Sequence, residues 1–234
     1  MSIADRLTDI RARITRAARS AGRDPASITL VAVSKTFPVT SVRDAWHAGQ
    51  RVFGENRVQE ALQKIAATAD LDIQWHLLGH LQTNKARKAA PSFALIQSVD
   101  SLELLQKLDA AAADAGHTPE LLIQVDLAGE STKYGVPPAD VPRMLEAADR
   151  CQAARIVGLM TLPPAPETPE DARPWFRQLR ELRDGWLASG VPPARLRELS
   201  MGMSADFEVA VEEGATLVRV GTAIFGERHV DEER

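Results

Sequence analysis

The sequence predicts a single α/β domain over residues 1–234, a (β/α)8 TIM barrel with an extra N-terminal helix. Three observations predict it. About eight short apolar segments, rich in Val, Ile and Leu, alternate with stretches of helical periodicity between residues 28 and 220. No linker-like stretch divides the 234 residues, and one barrel needs about 250. The distinctive polar groups fall just after the strands, and a closed barrel gathers such loops around one mouth. A doubly wound open sheet shares the alternation, so the placement of the polar groups is what favours closure.

Each element has its own justification. Residues 2–21 place Ile3, Leu7, Ile10, Ile14, Ala17 and Ala18 at helical spacing, with six arginines in the first 23 residues on the polar side and Gly22 as the stop. That arginine face reads as a solvated surface rather than a site for an anionic partner. Strand one is Ile28–Ser34, followed by a helix that Pro38 helps start and Gly49 ends. Arg51–Phe53 is a short second strand, with Gly54-Glu55-Asn56 as its turn, and the next helix sets Val58, Ala61, Leu62 and Ile65 on one face. Ile73–Leu78 is strand three. His76 and His80 follow metal-ligand spacing only if helical, and a strand end and a glycine intervene, so zinc is set aside. Lys85, Arg87 and Lys88 read as the solvated face of a short helix.

Phe93–Val99 is strand four, and Ser101 starts a Leu/Ala-rich helix running to Ala115. Strand five, Leu121–Leu127, sets Leu122, Gln124 and Asp126 on one face, where the polar members need hydrogen-bond partners. A helix over 139–152 leads to strand six, Arg155–Met160. Residues 162–169 hold four prolines and read as an exposed excursion before a helix over 170–188. Strand seven is Arg197–Met201, a helix covers 205–213, and strand eight is Thr216–Val220. The charged tail from Glu227 is expected to fray.

Composition narrows the function classes. The chain is 44% apolar and 26% charged with a net charge of −4, so it lacks the basic excess with which proteins displace counterions from nucleic acid. Its single cysteine, Cys151, cannot form an intrachain disulfide and suits a reducing cytoplasm. Neither a targeting segment nor a window of about 20 consecutive apolar residues is visible, so the expectation is a cytosolic protein without a membrane partner.

The residue that most needs explaining is Lys35, an ammonium at the end of the apolar run Ile28–Val33. It either caps the strand and reaches water, or it is a desolvated amine that forms a Schiff base with a carbonyl. Two glycine-bearing turns bear on the choice: Ser200-Met201-Gly202-Met203-Ser204 after strand seven and Gly221-Thr222 after strand eight. Glycine lets backbone N–H groups approach an anion, and phosphate held between the loops after strands seven and eight recurs in such barrels. Arg219 shares a strand face with Leu217 and Gly221. It points either outward among the helices or into the mouth, where a buried guanidinium needs an acceptor such as a heteroaromatic ring nitrogen.

Six motifs carry a resemblance: Val-Ala-Val-Ser-Lys-Thr (31–36), Phe-Gly-Glu-Asn-Arg-Val-Gln-Glu (53–60), Trp-His-Leu-Leu-Gly-His-Leu-Gln-Thr-Asn-Lys (75–85), Gly-Leu-Met (158–160), Leu-Ser-Met-Gly-Met-Ser (199–204) and Arg-Val-Gly-Thr-Ala-Ile-Phe-Gly (219–226). Nearly end to end, the chain resembles the pyridoxal phosphate homeostasis protein family, which is similar in fold to the N-terminal barrel of alanine racemase and binds pyridoxal 5′-phosphate (PLP). The resemblance implies that Lys35 holds PLP as a Schiff base. It further implies that Ser200, Gly202, Gly221 and Thr222 hold the phosphate with backbone help from Met201 and Ala223, that Arg219 faces the pyridine nitrogen, and that Asn56 and His80 sit near the cofactor. Arg57 replaces the aromatic usual after Gly-Glu-Asn, and Lys133 lies where relatives also tend to carry lysine, as a solvated loop residue or a secondary PLP site.

A permanently protonated guanidinium leaves the ring nitrogen largely unprotonated and the cofactor a weak electron sink. Racemases of similar fold add a second base from another domain; here the chain ends with its barrel, and Tyr134 has no evident place opposite Lys35. The expectation is therefore a non-catalytic, monomeric PLP carrier that buffers the cofactor and hands it transiently to apo-enzymes. The alternatives are a racemase-like PLP enzyme with Lys35 and His80 as bases, and a Schiff-base aldolase without PLP.

Overall fold

Eight parallel strands close into a barrel in the computed structural model, which describes residues 1–129 and 134–227. The strands are β1 (Thr29–Val33), β2 (Val52–Glu55), β3 (Gln74–Leu77), β4 (Leu95–Val99), β5 (Glu120–Gln124), β6 (Arg155–Met160), β7 (Glu198–Ser200) and β8 (Leu217–Val220). β8 returns to β1 with Leu30 opposite Val218 and Ala32 opposite Val220, which settles closure against the open sheet. The helices are α1 (Ile3–Ser20), α2 (Val39–His47), α3 (Val58–Ala67), α4 (Ala86–Ala89), α5 (Leu102–Ala115), α6 (Val141–Ala148), α7 (Arg173–Ala188), α8 (Phe207–Glu212) and α9 (Thr222–Phe225). Lys133 and the tail beyond Glu227 lie outside the described residues.

The barrel packs two layers of apolar side chains. Inside it, Val31, Leu95, Leu122, Val157, Met160 and Leu217 fill the bore, and a register shift between β5 and β6 lets both Val157 and Met160 face inward. Outside it, the opposite strand faces, such as Ala32, Phe53, Ile96, Leu121, Leu159 and Val218, join the inner faces of the helices in one continuous core. Amphipathic α1 buries Leu7, Ile10, Ile14, Ala17 and Ala18, and its first turn carries a capping box between Ser2 and Asp5. One of its arginines, Arg13, pairs with Glu208 of α8 at 2.6 Å and lies over the Phe207 ring, so part of the arginine face is tied to the barrel.

Several boundaries move, each for a packing reason. Gly54-Glu55 is strand rather than turn: a Cβ on Gly54 would lie 2.5 Å from Leu78 Cδ1, so this glycine admits the neighbouring strand's side chain. β5 ends at Gln124 instead of Leu127, because Asp126 folds back and its Oδ1 accepts the N–H groups of Ala128 and Gly129. The sixth helix stops at Ala148 rather than Gln152, since the Asp109 carboxylate takes the N–H groups of Gln152, Ala153 and Ala154 and draws the chain toward β6.

Candidate functional site

At the C-terminal end of the barrel lies a cavity of about 470 Å³, within the size range of small-molecule sites. Lys35 lines it from the end of β1, Asn56 from the end of β2, and Gly79 from the end of β3. Met203, Ser204 and Ala205 line it from the loop after β7, and Arg219, Gly221 and Thr222 from β8 and its turn; Val33, Leu78 and Leu162 give it apolar walls. Two cations face this space, and no carboxylate appears among its described lining. Asn56 is held close to the third loop, because a Cβ on Gly79 would fall 2.2 Å from the Asn56 carbonyl oxygen.

Lys35 continues the inward face of Val31 and Val33, which carries it to the mouth. The chain then turns sharply. Thr36 has φ +68, the only positive value at a non-glycine among the described residues, and the Phe37 N–H closes the turn on the Ser34 carbonyl at 3.0 Å. A buried polar group surrounds this turn. Lys64 Nζ donates to the Ser34 carbonyl at 2.7 Å, to Glu55 Oε1 at 2.7 Å and to Glu60 Oε1 at 2.8 Å. Ser34 Oγ donates to Glu55 Oε1 at 2.6 Å, and the Thr36 N–H donates to Glu60 Oε1 at 2.6 Å. Glu55 is fully buried, and burial holds its carboxyl above the usual range against the pull of Lys64 and Ser34.

Arg219 points into the barrel, as its shared face with the bore residue Leu217 allows. Its Nη1 donates to Ser200 Oγ at 2.6 Å and its Nη2 to the Thr161 carbonyl at 2.9 Å. Burial pulls the guanidinium down to about 10, which leaves it charged at neutral pH, and nearby Asp206 opposes that shift. Because Arg219 can only donate, the direction of the chain beyond it is fixed. Ser200 donates onward to Gln97 Oε1 at 2.5 Å, and Gln97 Nε2 donates to His76 Nδ1 at 3.1 Å. His76 is buried in the barrel, which pushes its imidazole down to about 3 and keeps that lone pair available.

This chain passes through the first residue of the expected phosphate turn. Ser200 still belongs to β7 and faces the bore, its hydroxyl committed at both ends and fully buried. Met201 is also fully buried, and its N–H goes to the Leu217 carbonyl. Gly202 has φ +89, and a Cβ there would lie 2.4 Å from Ala210 Cβ; its carbonyl accepts the Arg219 N–H. These three residues carry the loop but do not line the cavity. The group that does is Ser204, whose Oγ accepts the N–H groups of Gly221 at 3.2 Å and Ala223 at 3.5 Å, joining the two turns. Asp206, buried behind it, fixes the loop by accepting the Met203 N–H at 2.6 Å.

Of the expected site residues, Lys35, Asn56, Arg219, Gly221 and Thr222 thus meet at one cavity. His80 does not line it: its Nδ1–H donates to Asp100 Oδ2 at 2.9 Å and the ring stacks on Tyr134 with centroids 3.5 Å apart. Lys133 lies outside the described residues. Sequence reasoning missed Ser204, although it stands in the same motif, and missed Glu55, Lys64, Gln97 and Thr161. Cys151 is partly buried, which pushes its thiol up to about 11 and leaves it unreactive at neutral pH.

Residues 6–229 match the family described as alanine racemase, N-terminal domain. The chain is similar to the pyridoxal phosphate homeostasis protein of Aquifex aeolicus, with 44% identity over 97% of this chain and 99% of the relative. It is also similar to the protein of that name in Pseudomonas aeruginosa, with 45% identity over 97% of this chain and 96% of the relative. Among solved structures it is similar to PipY of Synechococcus elongatus PCC7942 with PLP bound: TM-score 0.85, 45% identity, 96% of this chain and 100% of that one.

Proposed function

The chain belongs to the pyridoxal phosphate homeostasis protein family, built on the alanine racemase N-terminal domain, and from that premise we propose that it binds PLP in the cavity at its barrel mouth and serves as a carrier of the cofactor. The observation that carries the reading is that Lys35, Asn56, Arg219 and the turns Met203–Ala205 and Gly221–Thr222 converge on one cavity at the C-terminal end of the barrel. A phosphate dianion bearing an aldehyde and a ring nitrogen fits that donor set. When bound, the cofactor supplies an aldehyde for covalent attachment at Lys35 Nζ with loss of one water.

The remaining residues bind and orient. Arg219 is aimed by Ser200 and the Thr161 carbonyl and would donate to the ring nitrogen. Ser204 accepts two backbone N–H groups, which leaves its hydroxyl proton free to turn to the cavity, where with Gly221 and Thr222 it would hold the phosphate. Glycine at 221 lets the turn after β8 pack closely on β1, since a Cβ there would come 3.2 Å from the Val33 carbonyl oxygen. Leu78, Val33 and Leu162 exclude water from the ring faces.

Two features favour a carrier over a racemase-like enzyme. Arg219 stays charged and gives up no proton to the ring, which disfavours carbanion chemistry. Tyr134 and His80, the two side chains considered as a second base, stack on each other and do not line the cavity. The protein then acts in the cytoplasm as a monomer, loading free PLP and passing it transiently to apo-enzymes. Incubating the loaded protein with an apo PLP enzyme should restore that enzyme's activity, with no turnover of amino acids by the carrier itself. Turnover of any amino acid that Lys35→Ala abolishes would overturn the carrier reading.

A further inference from the structure

The buried polar group around Lys35 has no place in binding the cofactor directly: Glu55 and Lys64 lie behind β1, and neither lines the cavity. Yet their hydrogen bonds converge on the backbone on both sides of Lys35. Lys64 takes the carbonyl of Ser34, Glu55 takes the hydroxyl of Ser34, and Glu60 takes the N–H of Thr36. Between these fixed points Thr36, a β-branched residue, is held in the left-handed conformation that only glycine adopts without penalty. Burying an ammonium with a carboxylate is costly, and removing one member strands the other. Such an arrangement persists when the surrounding structure over-determines a strained backbone, and here the strain lies directly next to the residue that meets the cofactor.

We propose that Glu55, Lys64 and Glu60 form a clamp that holds the Ser34–Thr36 turn in its strained form and thereby sets how long Lys35 retains PLP. The three are positioning residues. Their effect passes through two backbone groups, and the inference rests on the reading that PLP is held at Lys35. The clamp also explains why Glu55 extends β2 beyond the expected turn: its carboxylate has to reach both Ser34 Oγ and Lys64 Nζ. Once the clamp is loosened, Thr36 relaxes toward negative φ and the Lys35 side chain leaves the direction set by Val31 and Val33.

The test compares the rate of PLP release from loaded wild-type protein with that from Glu60→Ala, Glu60→Gln and Lys64→Met. Glu60 is only partly buried, so Glu60→Ala keeps the fold even where Lys64→Met does not. Glu60→Ala, which removes the acceptor of the Thr36 N–H, should speed release on the order of tenfold, the factor that matches the left-handed penalty of a non-glycine residue. Glu60→Gln keeps an acceptor oxygen and should retain PLP nearly as wild type does. Thr36→Gly added to Glu60→Ala should restore slow release, because glycine reaches the left-handed region freely. A Glu60→Ala protein with a lowered melting temperature and unchanged release would show a merely structural network and overturn the clamp, as would failure of Thr36→Gly to rescue. Loss of PLP from Lys35 in the wild type itself would instead overturn the binding reading, and the clamp with it.

Discussion

Replacing Ser200 by Ala and Ser204 by Ala should have opposite consequences, although both serines stand in the same motif. Ser200 Oγ bridges two buried groups, accepting from Arg219 Nη1 at 2.6 Å and donating to Gln97 Oε1 at 2.5 Å. Removing it strands one neutral acceptor and one charged donor where water does not reach. Each stranded group costs about 1–3 kcal/mol, so Ser200→Ala should destabilise the fold by about 2–6 kcal/mol. Ser204 lies on the cavity, and its loss frees only two backbone N–H groups that face the same space. Ser204→Ala should leave stability within about 0.5 kcal/mol, as substitutions outside the core do. It should weaken PLP binding by about 1.5–3 kcal/mol, a tenfold to hundredfold loss, as expected for a hydrogen bond to a charged group. The assays are urea unfolding of the apo proteins and titration with PLP and with pyridoxal, which lacks the phosphate. Ser204→Ala should weaken PLP and spare pyridoxal, while Ser200→Ala, acting through Arg219, should weaken both alike. A Ser200→Ala protein of normal stability that loses affinity for PLP alone would refute the interior chain and return the phosphate to Ser200.

His76 makes a pH prediction. Its imidazole is pushed from the ordinary value near 6.5 down to about 3 by burial, so between those values the unfolded chain binds a proton that the folded one refuses. The stability this contributes is complete above about pH 6.5 and is lost as pH falls toward 3, at up to about 1.4 kcal/mol per pH unit. His76→Asn, which keeps an acceptor for Gln97, should flatten the acid side of the urea midpoint against pH; an unchanged slope would place the titration elsewhere. Gly202→Ala should destabilise the barrel by about 2–4 kcal/mol, since φ is +89 and the new Cβ meets Ala210 at 2.4 Å. It should also weaken PLP by displacing Met203–Ala205, and a normal melting temperature with normal PLP titration would contradict the close packing at this turn.

Most of the fold was legible because barrel strands advertise themselves as apolar runs between helical periods, and polar residues at their ends mark the mouth. Arg219 shows where that reading stops. Strand alternation ties it to Leu217 and Gly221, but whether that face is the bore or the helix layer depends on closure, which periodicity does not report. The position of Ser200 was hidden for a related reason. β7 is only three residues long, so the serine at the head of the glycine-bearing motif is still a strand residue facing inward, and the turn begins at Gly202. The clamp was illegible altogether: Lys64 looks like a polar residue between Ala61 and Ile65, and only folding brings it beneath β1 onto Glu55 and Ser34. Gln97 and His76 sit on neighbouring strands, where nothing local distinguishes a buried relay from exposed polar positions.

Lys35 as the point of attachment is the central claim. The direct measurement is borohydride reduction of the PLP-loaded protein followed by peptide mass analysis. The account predicts a phosphopyridoxyl group on the peptide carrying Lys35, absent from Lys35→Ala. An unmodified Lys35 in protein saturated with PLP would contradict it.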